Sequence, residues 1–220
     1  FRSNSSLGPS DGVDYQREVI IMPPSYNGGF SSVVSPILDK LWFDKDPVRH
    51  ERGHGVMYGF LGLGNGTYEH CCLKEAIPDI FLFLYPDSDA CLGERICVPG
   101  QGGCFTETCL RTAENSIKYN DNNYQNYADA SNCHKNSQLI SGFIWDLVTK
   151  QAVPKNEAAQ LVYKSLSYMQ ASTNFSDFIN SLLAAEAAKF KGKYLCQIIA
   201  AARGRNLSSF IESKYVCTKK

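Results

Sequence analysis

The sequence carries no net charge: 22 lysines and arginines balance 22 aspartates and glutamates over 220 residues. With no basic run and no excess of either sign, nothing favours a polyanion, and nucleic acid is not an expected partner. Long apolar runs are missing too. The longest, Ile77 to Tyr85, is broken by Pro78 and Asp79 and is too short to cross a bilayer as a helix. No internal repeat or low-complexity tract occurs. No Cys-x-x-Cys pair is present, which weakens a zinc-knuckle reading of Cys97, Cys104 and Cys109. The chain opens at Phe1 without an initiator methionine or signal-type apolar segment, so a processed or truncated product with an upstream leader or propeptide is expected.

Cysteine is not scarce. There are nine, four of them clustered between Cys91 and Cys109, which points to disulfide staples in a loop-rich insert, and the odd count leaves at least one thiol free or intermolecular. Sequons at Asn4, Asn65, Asn174 and Asn206 agree with an exported, extracellular protein. Residues 1–14 are rich in Ser, Gly and Asn and read as irregular. Glu18 to Met22 reads as a strand, and Ser32 to Leu41 as a helix. A second helix is expected from Asp46, as N-cap with Pro47 at the first helical position, to about Tyr58. Leu73 to Leu84 is a third, kinked at Pro78. Asp87 to Asn132 is a long Cys-, Gly- and Asn-rich segment. Helices then follow over Ser137–Lys150, Asn156–Met169, Asn174–Lys191 and Tyr194–Ala202. The expected fold is α+β: a small sheet-bearing N-terminal lobe and a helical C-terminal lobe with a cleft between them. The expected division is 1–150, including an insert at about 87–133, and 151–220, as parts of one unit.

One segment carries chemistry by itself. His50-Glu51-Arg52-Gly53-His54 is a His-Glu-x-x-His sequence; on a helix, residues four apart share a face, so both imidazoles can hold one zinc ion. Glu51 is one step round the turn, where a carboxylate serves as general base. A zinc hydrolase needs three protein ligands and one open position. Glu75 is the natural third ligand, and Asp79, four residues on, can accept the free ring N–H of a ligating histidine. The bland alternative is a helix with surface histidines, which the combined spacing disfavours. His70, beside Cys71 and Cys72, reads as structural.

Here the residues resemble the thermolysin-like gluzincin metallopeptidases, in Glu75-Ala76-Ile77-Pro78-Asp79-Ile80-Phe81 and again in Arg111 to Tyr119 and His134-Lys135-Asn136-Ser137. The likeness runs over roughly residues 15 to 190. It implies a secreted zinc endopeptidase acting on proteins or peptides, with a propeptide or inhibitor as a further partner. By the same resemblance Arg111 grips a substrate carbonyl, His134 stabilises the transition state, and Asp129 orients His134. Endo-action is preferred because no Gly-x-Met-Glu-Asn-like segment that would bind a free amino terminus is found. The insert occupies the region where that family binds calcium, with Asp87 and Asp89 as carboxylates for Ca2+.

Three departures qualify the resemblance. Lys74 stands where the family has an Asn that accepts from the second histidine, and Pro78 replaces a small residue. The family's oxyanion-assisting tyrosine has four candidates, Tyr58, Tyr68, Tyr124 and Tyr127. Lys74 and Pro78, with the short N-terminal lobe, motivate an alternative reading, a peptidase-fold binding module with weakened or lost catalysis.

Overall fold

In the computed structural model, residues 44–61, 67–94, 104, 108–121, 124 and 131–217 are described, together with the backbone of four short strands before them. Strand β1 (Gly12–Asp14) pairs antiparallel with β2 (Val19–Ile21), and β3 (Ser25–Tyr26) with β4 (Leu38–Asp39). β2 falls inside the expected strand. β1 lies where irregular chain was expected, and β4 within the segment read as a helix; the rest of that segment is outside the described residues.

Helix α1 (Lys45–Leu61) begins earlier than its sequence signals suggest. Asp44, not Asp46, supplies the cap: its Oδ1 accepts the Asp46 N–H at 3.0 Å, which puts Pro47 at the third helical position. Helix α2 (Tyr68–Phe83) also starts more than a turn early, because Thr67 accepts the His70 N–H and provides the N-cap. Pro78 lies inside α2 and is fully packed. Its neighbour across the helix crossing is Gly53, where an added Cβ would lie 2.7 Å from the Pro78 Cα. The His-Glu-x-x-His helix and the Glu75 helix thus approach backbone to backbone.

A hairpin follows: β5 (Cys91–Leu92) pairs antiparallel with β6 (Arg111–Thr112), and a Cys91–Cys109 disulfide closes it. A staple in this region is expected from the clustering of cysteines; which two pair is not readable from the sequence. Cys104 is disulfide-bonded as well. Helix α3 (Ser131–Thr149) reaches back past the expected Ser137, so His134 stands in its first turn rather than in a loop.

Helices α4 (Lys155–Leu166), α5 (Phe175–Phe190) and α6 (Leu195–Gly204) complete the chain, followed by a 3-10 turn at Ser208–Phe210. Asn174 caps α5 in a reciprocal capping box with Asp177. The result is mostly helical with small two-stranded sheets, an α+β arrangement.

The apolar faces of α2 to α6 share one core. Ile77, Ile80, Phe143, Leu147, Leu161, Phe178, Leu182 and Ile198 are each at most 1% exposed. This core runs from Met57 to Leu207 without a break at residue 150. One buried ion pair anchors its edge. Arg205 Nε lies 2.7 Å from Asp146 Oδ2, and the same guanidinium donates to Asn115 Oδ1, Ile117 O and Gly142 O. Asn115 in turn donates to Thr112 O and Gln138 O, fixing the segment that carries Arg111 on α3. Two more disulfides are present: Cys71–Cys133 ties α2 to α3, and Cys196–Cys217 ties α6 to the chain after the 3-10 turn. Cys72 is the free, buried cysteine among the described residues.

Candidate metal centre and active site

Helix α1 departs from an ordinary amphipathic pattern by burying polar groups: His50, Glu51 and His54 are all at most 9% exposed. Burying three ionisable side chains in under two turns is costly unless they are paired or bind something. The partner atoms come from α2. The ligating atoms of His50, His54 and Glu75 all lie within 4.8 Å of one another. His50 Nε2 is 3.4 Å from Glu75 Oε2, and His54 Nε2 is 3.8 Å from Glu75 Oε1. The imidazoles stand edge to face with centroids 4.7 Å apart.

Around this trio stands a supporting layer. Asp79 is fully buried, one turn past Glu75, and His50 Nδ1 donates to its Oδ1 at 2.8 Å. That bond fixes the His50 tautomer and directs Nε2 towards the cluster. Arg111, from β6, holds the same carboxylate in bidentate fashion, Nε to Oδ2 at 2.7 Å and Nη2 to Oδ1 at 2.9 Å. His134 projects from the first turn of α3 with Nε2 3.2 Å from Glu75 Oε2 and half of its side chain open to solvent. Asp129 lies outside the described residues.

The electrostatics follow from this layout. Burial opposes protonation of His50, yet the Asp79 charge and hydrogen bond prevail over burial and the Arg111 cation, raising its pKa to about 9. His54 goes the other way: burial, then repulsion from His50, lowers it to about 4. Glu75 stays ionised well below the usual carboxylate range. Burial works against this, but the His50 hydrogen bond and the His134, His50 and Arg111 charges outweigh it. Asp79 is likewise depressed, against burial, by Arg111 and His50. Partial burial lowers His134, with Glu75 opposing.

Two imidazoles and one carboxylate, with no thiolate among them, are the donor set that suits zinc with a position left open. One detail departs from the usual second layer around a metal. His54 Nδ1 is buried and has no hydrogen-bond partner among the described residues. Lys74 cannot accept this N–H, and the other acceptor that this implies is not found among the described residues. The Lys74 ammonium lies 5.8 Å from the Tyr58 ring, itself stacked on His54.

Of the tyrosines considered, Tyr58 adjoins the cluster, and its phenol pKa is pushed up by burial and then by Glu75 and Glu51. Tyr68 accepts from Asn136 at 2.8 Å, Tyr124 is buried in the core, and Tyr127 lies outside the described residues. His70 is structural, as expected: it is buried with Nδ1 3.1 Å from Thr173 O.

The calcium expectation at Asp87 and Asp89 needs correction. Asp87 is held by Lys45 and Arg49 at 3.0 and 3.2 Å, and Asp89 accepts the Cys91 N–H at 2.8 Å. Asp87, neutralised by a lysine and an arginine, makes a poor calcium ligand, and Asp89 is used in capping the turn at Cys91. A different acidic trio, which the sequence reading missed, gathers instead: Asp44, Asp46 and Glu94, with ligand atoms within 4.8 Å of one another. Burial, a hydrogen bond to Glu94 and the neighbouring negative charges raise the Asp46 pKa to about 7. Asp44 Oδ2 is buried and without a partner among the described residues. The sequence signal is two aspartates at a helix start, of which the spacing singles out only Asp46, as a cap. Separately, a groove of about 960 Å3, lined by Arg52, Gly53, Phe81 and Tyr163 among others, lies on another face of α1, and none of the metal-cluster side chains line it.

The structure thus presents a mostly helical unit with a gathered histidine–carboxylate cluster. Residues 69–204 match the family model described as thermolysin metallopeptidase, alpha-helical domain, which spans well over half of the sequence. The chain belongs to the thermolysin metallopeptidase family. The matched span contains Glu75, Asp79, Arg111 and His134 and begins after the His50–His54 segment. Two extracellular elastases of Staphylococcus epidermidis, one from strain ATCC 12228 / FDA PCI 1200, are each 27% identical over 143 residues, covering 62% of this chain. The chain spans about a quarter (27%) of the length of these curated relatives.

Proposed function

We propose that this chain is the metal-bearing part of a secreted zinc endopeptidase that hydrolyses peptide bonds in proteins or peptides. Residues 1–150 and 151–220 are read as parts of one peptidase unit, with the working cleft beside His134; the continuous core supports this. Family membership supports the reaction class. The observation that carries the proposal is the convergence of His50, His54 and Glu75 ligand atoms within 4.8 Å, with His134 3.2 Å from Glu75. The disulfides support an oxidising, extracellular setting.

His50, His54 and Glu75 hold the metal in this reading, and Asp79 keeps His50 in the ligating tautomer. When bound, zinc supplies Lewis acidity, making water acidic near neutral pH and polarising a peptide carbonyl. Glu51 accepts the proton of the attacking water and passes it to the leaving amine. His134, with Asp129 as its orienting partner, donates to the developing oxyanion. Tyr58, which stacks on His54, is the phenol among the described residues assigned to share that task. Arg111, already anchored on Asp79, grips a neighbouring substrate carbonyl. Asp44, Asp46 and Glu94 are assigned to a calcium ion, supported by the partnerless Asp44 Oδ2 and the raised Asp46 pKa.

The direct test is cleavage of an unstructured protein by the purified chain, stopped by a chelator and restored by zinc. Glu51→Gln should keep its zinc and lose turnover by about a hundredfold or more. A Glu51→Gln variant as active as the parent would sink the mechanism. The orphaned His54 Nδ1 favours a second reading, a peptidase-fold binding module with weakened catalysis. A zinc-loaded chain that cleaves no unstructured protein would support that module.

A further inference from the structure

The Cys71–Cys133 disulfide joins the two elements that bring Glu75 and His134 together. Cys71, Glu75 and Asp79 are spaced four residues apart on α2 and therefore share one face. Cys133 is the residue immediately before His134. The bond thus closes one turn from Glu75 on one side and one residue from His134 on the other.

His134 needs such a tie. It stands in the first turn of α3, where backbone N–H groups lack intrahelical partners and helices fray. Half of its side chain is exposed, so packing holds it weakly, and its contact with Glu75 is a single 3.2 Å approach. A second link, Asn136 Nδ2 to Tyr68 Oη at 2.8 Å, joins the same turns but is one hydrogen bond. The metal residues are fixed otherwise, by the Gly53–Pro78 approach and the His50–Asp79–Arg111 bonds.

We propose that Cys71–Cys133 is a positioning bond for His134, so that its thiol–disulfide state sets turnover while leaving metal binding intact. This deepens the peptidase reading above and rests on it. Opening the bond requires a dithiol reductant: its two thiols are oxidised to a disulfide as Cys71 and Cys133 each gain a hydrogen. Cys72, the next residue, is no alternative partner. It is fully buried, burial pushes its thiol up to about 12, and it stays protonated and unreactive at neutral pH.

The test compares the full chain with a Cys71→Ala/Cys133→Ala variant and a control lacking the distant Cys196–Cys217 bond, by zinc content, cleavage kinetics and hydrogen exchange. The expected result is full zinc content, KM within about twofold, kcat lower by about tenfold or more, and faster exchange over residues 131–136 but not 46–58. The control should retain kcat. Dithiothreitol should lower kcat of the parent to the level of the double variant, and oxidised glutathione should restore it without added zinc. If the double variant folds poorly, the reduction and reoxidation series is run on the parent beside variants lacking Cys91–Cys109 or Cys196–Cys217, with zinc content read at each step, because dithiothreitol opens the other disulfides as well. A kcat loss that persists in both variants assigns the effect to Cys71–Cys133, and one that disappears with either overturns the proposal. Unchanged kcat and exchange would overturn the proposal, as would loss of zinc in step with activity. A parent chain that takes no zinc and cleaves nothing would overturn the peptidase reading instead, with the exchange data still deciding the role of the bond.

Discussion

An added Cβ on Gly53 would lie 2.7 Å from the Pro78 Cα, a backbone atom that cannot swing aside. Gly53 lies between His50 and His54 and Pro78 between Glu75 and Asp79, so their contact sets how closely Glu75 approaches the two histidines. Gly53→Ala should force α1 and α2 apart, at a cost of about 1–3 kcal/mol in stability and a measurable loss of zinc affinity. Urea denaturation combined with competitive zinc titration checks this; parental values for both would contradict it.

His50 gives the metal-free protein a distinctive pH dependence. Its folded pKa of about 9 exceeds the usual histidine value of 6.5, so the folded state holds the proton more tightly. The stability this provides is complete below pH 6.5 and is lost as pH rises towards 9. Below that window two effects oppose each other: His54, at about 4, favours folding as pH rises, whereas Asp46, at about 7, disfavours it. Above pH 7 His50 acts alone among these three. The metal-free melting temperature should therefore fall between about pH 7 and 9, and Asp79→Asn should flatten the fall. A melting temperature that rises over this range would contradict the account.

Arg111 holds a carboxylate that is 0% exposed. Arg111→Ala would leave Asp79 ionised beside His50 with its main counter-charge gone, which costs about 3–5 kcal/mol. Arg111→Lys, which cannot form the fork, should recover only part of that. Chemical denaturation of the two variants measures the difference directly.

Lys74 should be correctable. With an amide oxygen at this position, His54 Nδ1 would gain the acceptor it lacks among the described residues. Lys74→Asn is expected to tighten zinc binding by about tenfold. Equal or weaker affinity, measured by competition with a chelating dye, would count against it.

Much of the site was legible because metal ligation demands fixed residue types at fixed helical spacing. His50, His54, Glu75 and Asp79 follow from period and chemistry, and the structure brings all four together with Arg111 and His134. Residue spacing was a poorer guide where tertiary partners decide. Asp46 looked like a cap, but Asp44 takes that role and Asp46 joins a buried acidic trio with Glu94, 48 residues on in sequence. Asp87 looked available for calcium until Lys45 and Arg49 were found against it. Helix α3 was expected to begin at Ser137, because the polar stretch before it hid the turn that carries His134. Pro78 was read as a kink; its use is the close approach to Gly53, which no single-helix argument reveals.

X-ray absorption at the zinc edge of the purified, zinc-loaded chain tests the central claim most directly. The account predicts one zinc per chain with two imidazole nitrogens and oxygen donors at about 2.0–2.2 Å. Non-stoichiometric zinc, or a shell dominated by sulfur at about 2.3 Å, would contradict it.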